Sequence, residues 1–140
     1  MALLEVENLS IGYRTKKGVL QAVDNVSFGV EAGRSLGLVG ESGCGKTTIG
    51  MALMGLLPRN GRVTAGAMRL AGRDLGGLDR QGWREVRWKE IAMIFQAAMN
   101  ALNPVQRVGD QIAEAILTHN PGMGKSEAHG QVEGLYQLVG

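Results

Sequence analysis

Residues 40–48 combine three glycines with one lysine and two threonines. Glycine permits backbone conformations in which consecutive N–H groups point toward one centre. Lysine adds a compact positive charge, and threonine adds a hydroxyl that can bind a divalent cation. Because these groups all suit phosphate oxygens and their counterions, the segment predicts a phosphate-binding loop.

The spacing is that of a Walker A motif: Gly40, four residues, Gly45, Lys46 and Thr47. A helix beginning at Lys46 would add the partial positive charge of its N-terminus. We assign the β- and γ-phosphates of a nucleotide to Lys46 and Mg²⁺ to Thr47. The predicted nucleotide-binding residues of the loop are Gly40, Glu41, Ser42, Gly43, Cys44, Gly45, Lys46, Thr47 and Thr48. A chance glycine-rich turn is the alternative, and the strand–loop–helix context disfavours it.

Cys44 has two interpretations. A thiol near a helix N-terminus can be acidic and reactive. It can equally be a small residue tolerated in the loop, which is the interpretation we favour. Protection of the thiol by ATP against a thiol reagent would support its place in the loop.

The flanking segments supply the elements that must hold this loop. Residues 34–39 are mostly apolar and predict a short strand that ends at Gly40. After the loop, apolar residues recur at helical spacing, and Pro58 ends the predicted helix. This apolar face comprises Ile49, Ala52, Leu53 and Leu56.

Elsewhere the pattern predicts an α/β protein with a β-rich N-terminal layer. The predicted strands are 3–9, 19–30, 65–70 and 91–95, the last being buried with Gln96 at its exit. A short helix is predicted over 79–86, and a longer one extends from Val108 to the break at Pro121. Ser126 is the predicted N-cap of a final helix. Its predicted apolar face comprises Val132, Leu135, Tyr136 and Val139.

Composition narrows the class of protein. One cysteine excludes an internal disulfide and fits a reducing compartment. A net charge of +2 with few aromatic residues gives no support for nucleic-acid binding. The N-terminus lacks the basic region of a signal peptide. These features predict a cytoplasmic protein.

Several stretches together resemble the ATP-binding subunits of ABC transporters, and more narrowly those of importers for oligopeptides, dipeptides and nickel. The resemblance covers essentially the whole chain. The stretches that carry it are residues 11–15, 22–28, 38–43, 55–58 and 91–96, with Leu102-Asn103-Pro104 following the last.

The resemblance implies a P-loop NTPase fold: a RecA-like core with an N-terminal antiparallel β layer. Residues 1–96 would form the layer and core, and 97–140 would begin the helical subdomain. Tyr13 would stack on adenine; the alternative is a tyrosine packed on the β layer. Gln96 would be the Q-loop glutamine, contacting Mg²⁺ or the attacking water and acting in catalysis with Lys46; the alternative is a surface glutamine.

The chain also departs from the family pattern. Ala97-Ala98 stands where Asp-Pro is usual, and Arg34 where glutamate is usual. We find no strand ending in Asp-Glu and no Leu-Ser-Gly-Gly-Gln signature. Residues 75–78 lack the serine of that signature, and His119 and His129 do not match the switch histidine. The resemblance therefore implies a truncated domain, marginally stable and aggregation-prone, that binds ATP without efficient hydrolysis.

The leading functional hypothesis is the energy-coupling ATPase subunit of an importer for peptides or nickel. Such a subunit would lie on the inner face of the cell membrane, against transmembrane permease subunits and a second nucleotide-binding subunit, identical or different. A nucleotide-binding module without turnover is the alternative. Residues 102–104 disfavour a soluble ABC ATPase acting on DNA or ribosomes, and Tyr13 with the β layer disfavours a small-molecule kinase.

Overall fold

A computed structural model describes residues 2–140; Met1, the first residue of the predicted range 1–96, lies outside the described residues. The chain forms two compact units, one ending at Trp83 and the other spanning Arg84–Gly140. This boundary precedes residue 97, where the resemblance places the start of the helical subdomain. That assignment remains a prediction.

The first unit is built on a four-stranded antiparallel sheet with the order β2-β1-β3-β4. Its strands are β1 (Leu4–Thr15), β2 (Gly18–Val30), β3 (Gly61–Leu70) and β4 (Arg73–Asp74). The predicted N-terminal β layer is confirmed, and its strands are longer than predicted. Two helices complete the unit: α1 (Lys46–Leu53) and α2 (Arg80–Val86), which continues to Val86 across the boundary.

Irregularities in the long strands are stabilised by serine side chains. The amide of Asn8, where the β1 register shifts, donates to Ser27 Oγ at 2.8 Å. The amide of Asn25 donates to Ser10 Oγ at 2.9 Å, and Ser10 is buried. Both bulge amides lose a ladder partner, so each serine hydroxyl supplies the missing acceptor.

One face of this sheet packs on α1 to form a core. Its fully buried members include Val6, Leu9 and Ile11 of β1. Ile49 and Ala52 of α1 are buried, as the predicted helical spacing requires. The helix ends earlier than predicted, however, because Gly55 follows the cap residue Met54 with φ +63° and turns the chain before Leu56.

Two predicted strands are wrong. Residues 34–39 are irregular, and within 2–140 no segment pairs with them. Residues 91–95 form only an isolated bridge, between Ile91 and Arg87, and Ile94 is 95% exposed rather than buried. An apolar run forms a strand only beside a partner strand that accepts its hydrogen bonds.

The second unit contains α3 (Val108–His119) and α4 (Lys125–Val139), after a 3₁₀ turn over Ala98–Asn100. Its small core joins Ala113 of α3 to Ala128 and Val132 of α4. The cap of α4 is Gly124, so Ser126 lies inside the first turn and the predicted N-cap is wrong. Of the predicted α4 face only Val132 is buried; Leu135, Tyr136 and Val139 are exposed.

No helix within residues 2–140 has the length and apolar character needed to cross a membrane.

Candidate phosphate-binding site

The predicted loop lies between an irregular segment and α1, and Gly45 anchors it to the sheet. Gly45 has φ +100°, a conformation that favours glycine. A Cβ atom at this position would lie 2.7 Å from the Ala22 carbonyl oxygen and 3.2 Å from Val23 Cγ2. Glycine is thus required twice here, for its dihedral angle and for the close approach to β2.

The side chain of Lys46 folds back into the loop. Its Nζ donates to the Gly40 carbonyl oxygen at 2.5 Å and to the Glu41 carbonyl oxygen at 2.7 Å. The third contact is Cys44 Sγ at 3.2 Å. All three protons of the ammonium therefore have acceptors in the loop itself. Phosphate oxygens binding to Lys46 must replace at least one of these acceptors.

The N-terminus of α1 supplies further donors. Its cap residue, Gly45, has no side chain to bond the first-turn amides, and the first turn contains no acidic residue. Amides in this turn have no intrahelical acceptor, so their N–H groups and the helix dipole favour an anion. Thr47 is exposed in the same turn, where its hydroxyl is accessible to a cation.

Cys44 is an exposed free thiol. The hydrogen bond from the Lys46 ammonium lowers the pKa of the Cys44 thiol, because a positive charge stabilises the thiolate. The thiol is one of three groups that accept hydrogen bonds from Lys46. Both interpretations of Cys44 remain predictions.

Tyr13 lies at the far end of β1 and reaches α1 through its hydroxyl. Tyr13 Oη and Thr48 Oγ1 are 3.1 Å apart, a hydrogen bond between residues 35 positions apart in sequence. The ring also packs against Gly61, where an added Cβ would lie 2.7 Å from Tyr13 Cε1. The sequence did not predict the contact between Tyr13 and Gly61. It follows from the pairing of these two residues across β1 and β3.

Gln96 belongs to the second unit and is exposed, in a turn that precedes Ala97. Ala97 has φ +57°, so the segment after Gln96 bends sharply. The structure thus groups the loop residues with Tyr13 in one unit. The assignment of Gln96 to Mg²⁺ or water remains a prediction.

An apolar groove of about 420 Å³ lies beside the loop in the first unit. It is bounded by the end of β2, by α1 and by the irregular segment. Its walls include Phe28, Leu36, Leu38 and Leu53, and Lys46 also lines it.

Comparison with known proteins identifies the family. The ABC transporter family profile matches residues 23–140. The chain is 44% identical over 138 residues to the dipeptide transport ATP-binding protein DppD of Lactococcus lactis, covering 99% of this chain and 40% of that protein. It is 45% identical over 138 residues to the oligopeptide transport ATP-binding protein OppD of Mycobacterium bovis, covering 99% of this chain and 22% of that protein.

Among solved structures, the dimeric structure of a bacterial ABC transporter cassette superposes with a TM-score of 0.77 at 20% identity. The superposition covers 91% of this chain and 53% of the cassette. The chain thus spans about two-fifths of the Lactococcus relative and about half of the cassette. The loop, the α/β fold and these matches agree: the chain belongs to the ABC transporter ATP-binding family.

Proposed function

We propose that this chain binds ATP as part of the energy-coupling subunit of an ABC importer for peptides. One observation carries the proposal: the loop formed by residues 40–48 places Lys46 and the bare first turn of α1 together, in a chain related throughout to peptide-transport ATP-binding proteins. The relatives reported above are named for dipeptide or oligopeptide transport, which favours peptides over nickel.

The residues of the loop fit a triphosphate. Lys46 exchanges its carbonyl acceptors for β- and γ-phosphate oxygens, and the first-turn amides of α1 donate to them. Thr47 offers its hydroxyl to Mg²⁺. The other ligands that we assign to the ion are phosphate oxygens, water and Gln96. ATP supplies the free energy that the complete subunit converts into movement.

Tyr13 is the proposed adenine contact. The hydrogen bond to Thr48 and the packing on Gly61 hold the ring at the level of the first turn of α1. Both contacts are also what a structural tyrosine of the β layer would make. A variant that keeps the ring and removes the hydroxyl therefore isolates the hydrogen bond to Thr48 from the contributions of the ring.

The proposal also covers the partner subunits of the complete protein and its place in the cell. The complete subunit pairs with a second nucleotide-binding subunit and with transmembrane permease subunits at the inner face of the cell membrane. Gln96 and the segment after it belong to the surface that meets the permease. Binding of ATP closes the pair of subunits, and hydrolysis reopens it.

The test is a calorimetric titration of the chain with ATP in the presence of Mg²⁺, which measures the affinity for ATP. Lys46→Ala should lower the affinity about ten- to a hundredfold, because a hydrogen bond to a charged group is lost. Lys16→Ala, in the exposed turn between β1 and β2, is the matched control and should leave affinity unchanged. Equal affinity of the Lys46 variant and the control would contradict the proposal.

The same titration examines Tyr13. Tyr13→Phe should change the affinity by less than about threefold, whereas Tyr13→Ala should lower it about tenfold, because a base is no longer stacked.

Hydrolysis of ATP by the chain is measured in a separate assay. We expect no turnover above that of the Lys46→Ala variant, and robust turnover would exclude the alternative of a module that only binds nucleotide.

A further inference from the structure

The segment between Gln96 and α3 is held without a hydrophobic core. Every residue from Gln96 to Val108 is exposed, and the side chain of Val105 is 87% exposed. At Val105, within residues 103–106, burial of apolar surface therefore contributes little to the order of the chain. The position of these residues depends mainly on hydrogen bonds.

A tight turn over residues 103–106 closes itself with two local bonds. The Gln106 amide donates to the Asn103 carbonyl oxygen at 3.3 Å, and the Val105 amide donates to Asn103 Oδ1 at 3.1 Å. Asparagine first and proline second are favoured in such turns. These bonds give the turn its shape but do not attach it to anything else.

The side chain of Gln111 connects this turn to α3. Its Oε1 accepts the Asn103 amide at 2.8 Å. Its Nε2 donates to the carbonyl oxygens of Asn103 at 2.9 Å and of Gln106 at 3.1 Å. One primary amide thus pairs with both backbone groups of Asn103, and both of its N–H donors are used.

We propose that Gln111 is a positioning residue that fixes the 103–106 turn onto α3. The side chain must carry both a donor and an acceptor at this length, which glutamine provides and an ionised glutamate does not. The consequence rests on the proposed function: a permease that meets the segment after Gln96 would contact a turn already ordered, rather than one that orders on binding.

The test is site-resolved amide hydrogen exchange on the nucleotide-free chain with Gln111→Ala and Gln111→Glu. Gln131→Ala and Gln131→Glu, at an exposed position of α4, are the matched controls. The readout is the protection of the Asn103 amide divided by that of Val132, in the core of the second unit. This ratio separates local opening from unfolding of the whole unit.

Both Gln111 variants at neutral pH should lower the ratio by at least about tenfold, because two or three hydrogen bonds are lost together. The Val105 and Gln106 amides should lose less protection, since their acceptors lie within the turn. The Gln131 variants should leave the ratio unchanged. A ratio unchanged in both Gln111 variants would overturn the proposal.

The Gln111→Glu variant adds a pH readout. A residue that acted only by packing, and not by hydrogen bonds to the turn, would not produce it. An ionised carboxylate there faces the Asn103 and Gln106 carbonyl oxygens without a proton to donate. The protonated carboxyl can donate to one of these oxygens, so protonation restores one of the lost hydrogen bonds. Protection, expressed relative to intrinsic exchange rates, should recover as the pH falls through the pKa of the new carboxyl.

Gln111→Ala should show no such recovery, and a recovery of equal size in both variants would overturn the proposal. The experiment needs neither ATP nor a partner. Its failure is therefore distinguishable from failure of ATP binding, which would leave the exchange result intact.

Discussion

The ammonium group of Lys46 has all of its hydrogen-bond acceptors within the loop. Two carbonyl oxygens and the Cys44 sulfur accept its protons at 2.5–3.2 Å. The loop is therefore held in shape by the residue that we propose as its phosphate contact. Replacing Lys46 removes this internal support, and the nearby thiol reports on the loss.

At the residue scale, we predict that the alkylation rate of Cys44 by iodoacetamide rises with pH around a midpoint below the ordinary cysteine pKa of about 8.5. The Lys46 ammonium favours the thiolate, so Lys46→Met should move the midpoint upward and slow the reaction near pH 7. Lys16→Met is the control. The chain has one cysteine, so total incorporation measures this site alone.

Saturating ATP should slow alkylation of the native chain, because phosphates occupy the loop and draw Lys46 away from the thiol. An identical pH profile in native chain and Lys46→Met would show that the ammonium does not act on Cys44. Undiminished alkylation at saturating ATP would contradict the place of Cys44 in the phosphate loop.

At the element scale, the bulge in β1 depends on one glycine in β3. Residues 8 and 9 oppose Gly66 between the pairs Glu7–Ala67 and Ser10–Ala65. Gly66 has φ +87°, and a Cβ there would collide with the carbonyl oxygens of Glu7 and Asn8. These carbonyls belong to the backbone, so a side chain at 66 cannot be accommodated by a rotamer change.

We therefore expect Gly66→Ala to lower the free energy of opening of the β1–β3 ladder by about 1–3 kcal/mol. Hydrogen exchange of the β3 amides measures this opening directly. Gly37→Ala is the matched control, because Gly37 has open space around it and no positive φ. An equal effect of the two substitutions would mean that the bulge does not require glycine.

At the scale of the whole molecule, the irregular segment exposes apolar side chains that a sheet would bury. Val39 is 97% exposed, and Leu36 and Leu38 are 47% and 43% exposed, beside the apolar groove. Unpaired extended backbone with apolar side chains promotes association between chains. The sequence-based expectation of marginal stability thus has a specific location in the first unit.

We predict that the chain aggregates on heating, with a broad transition, and that ATP raises the transition midpoint by mass action. Val39→Lys should delay aggregation because it places a charge on the exposed segment. Lys46→Ala should reduce the stabilisation at a given ATP concentration, because its affinity for ATP is lower. Differential scanning fluorimetry with light scattering measures all three, and a sharp melt of soluble native monomer would contradict the prediction.

Local patterns predicted those parts of the fold that depend on neighbouring residues. The β layer and the helices followed from spacing, since Ile49 and Ala52 are buried as their period requires. The strands at 34–39 and 91–95 were not predictable in this way, because strand formation depends on a distant partner. The cap of α4 was misplaced by two residues because glycine at 124, rather than Ser126, precedes the helix.

The sequence by itself determined the chemistry of the loop, because the Walker A spacing requires residues adjacent in the chain. It also determined the family. Tertiary structure alone decided the long-range contacts of the loop, which are Gly45 against β2 and Tyr13 with Thr48. It also decided, in the second unit, the contact of Gln111 with the turn at 103–106. The first two join residues far apart in sequence, and the third depends on how the turn meets α3. Such contacts form only when folding brings their elements together, so no local pattern specifies them.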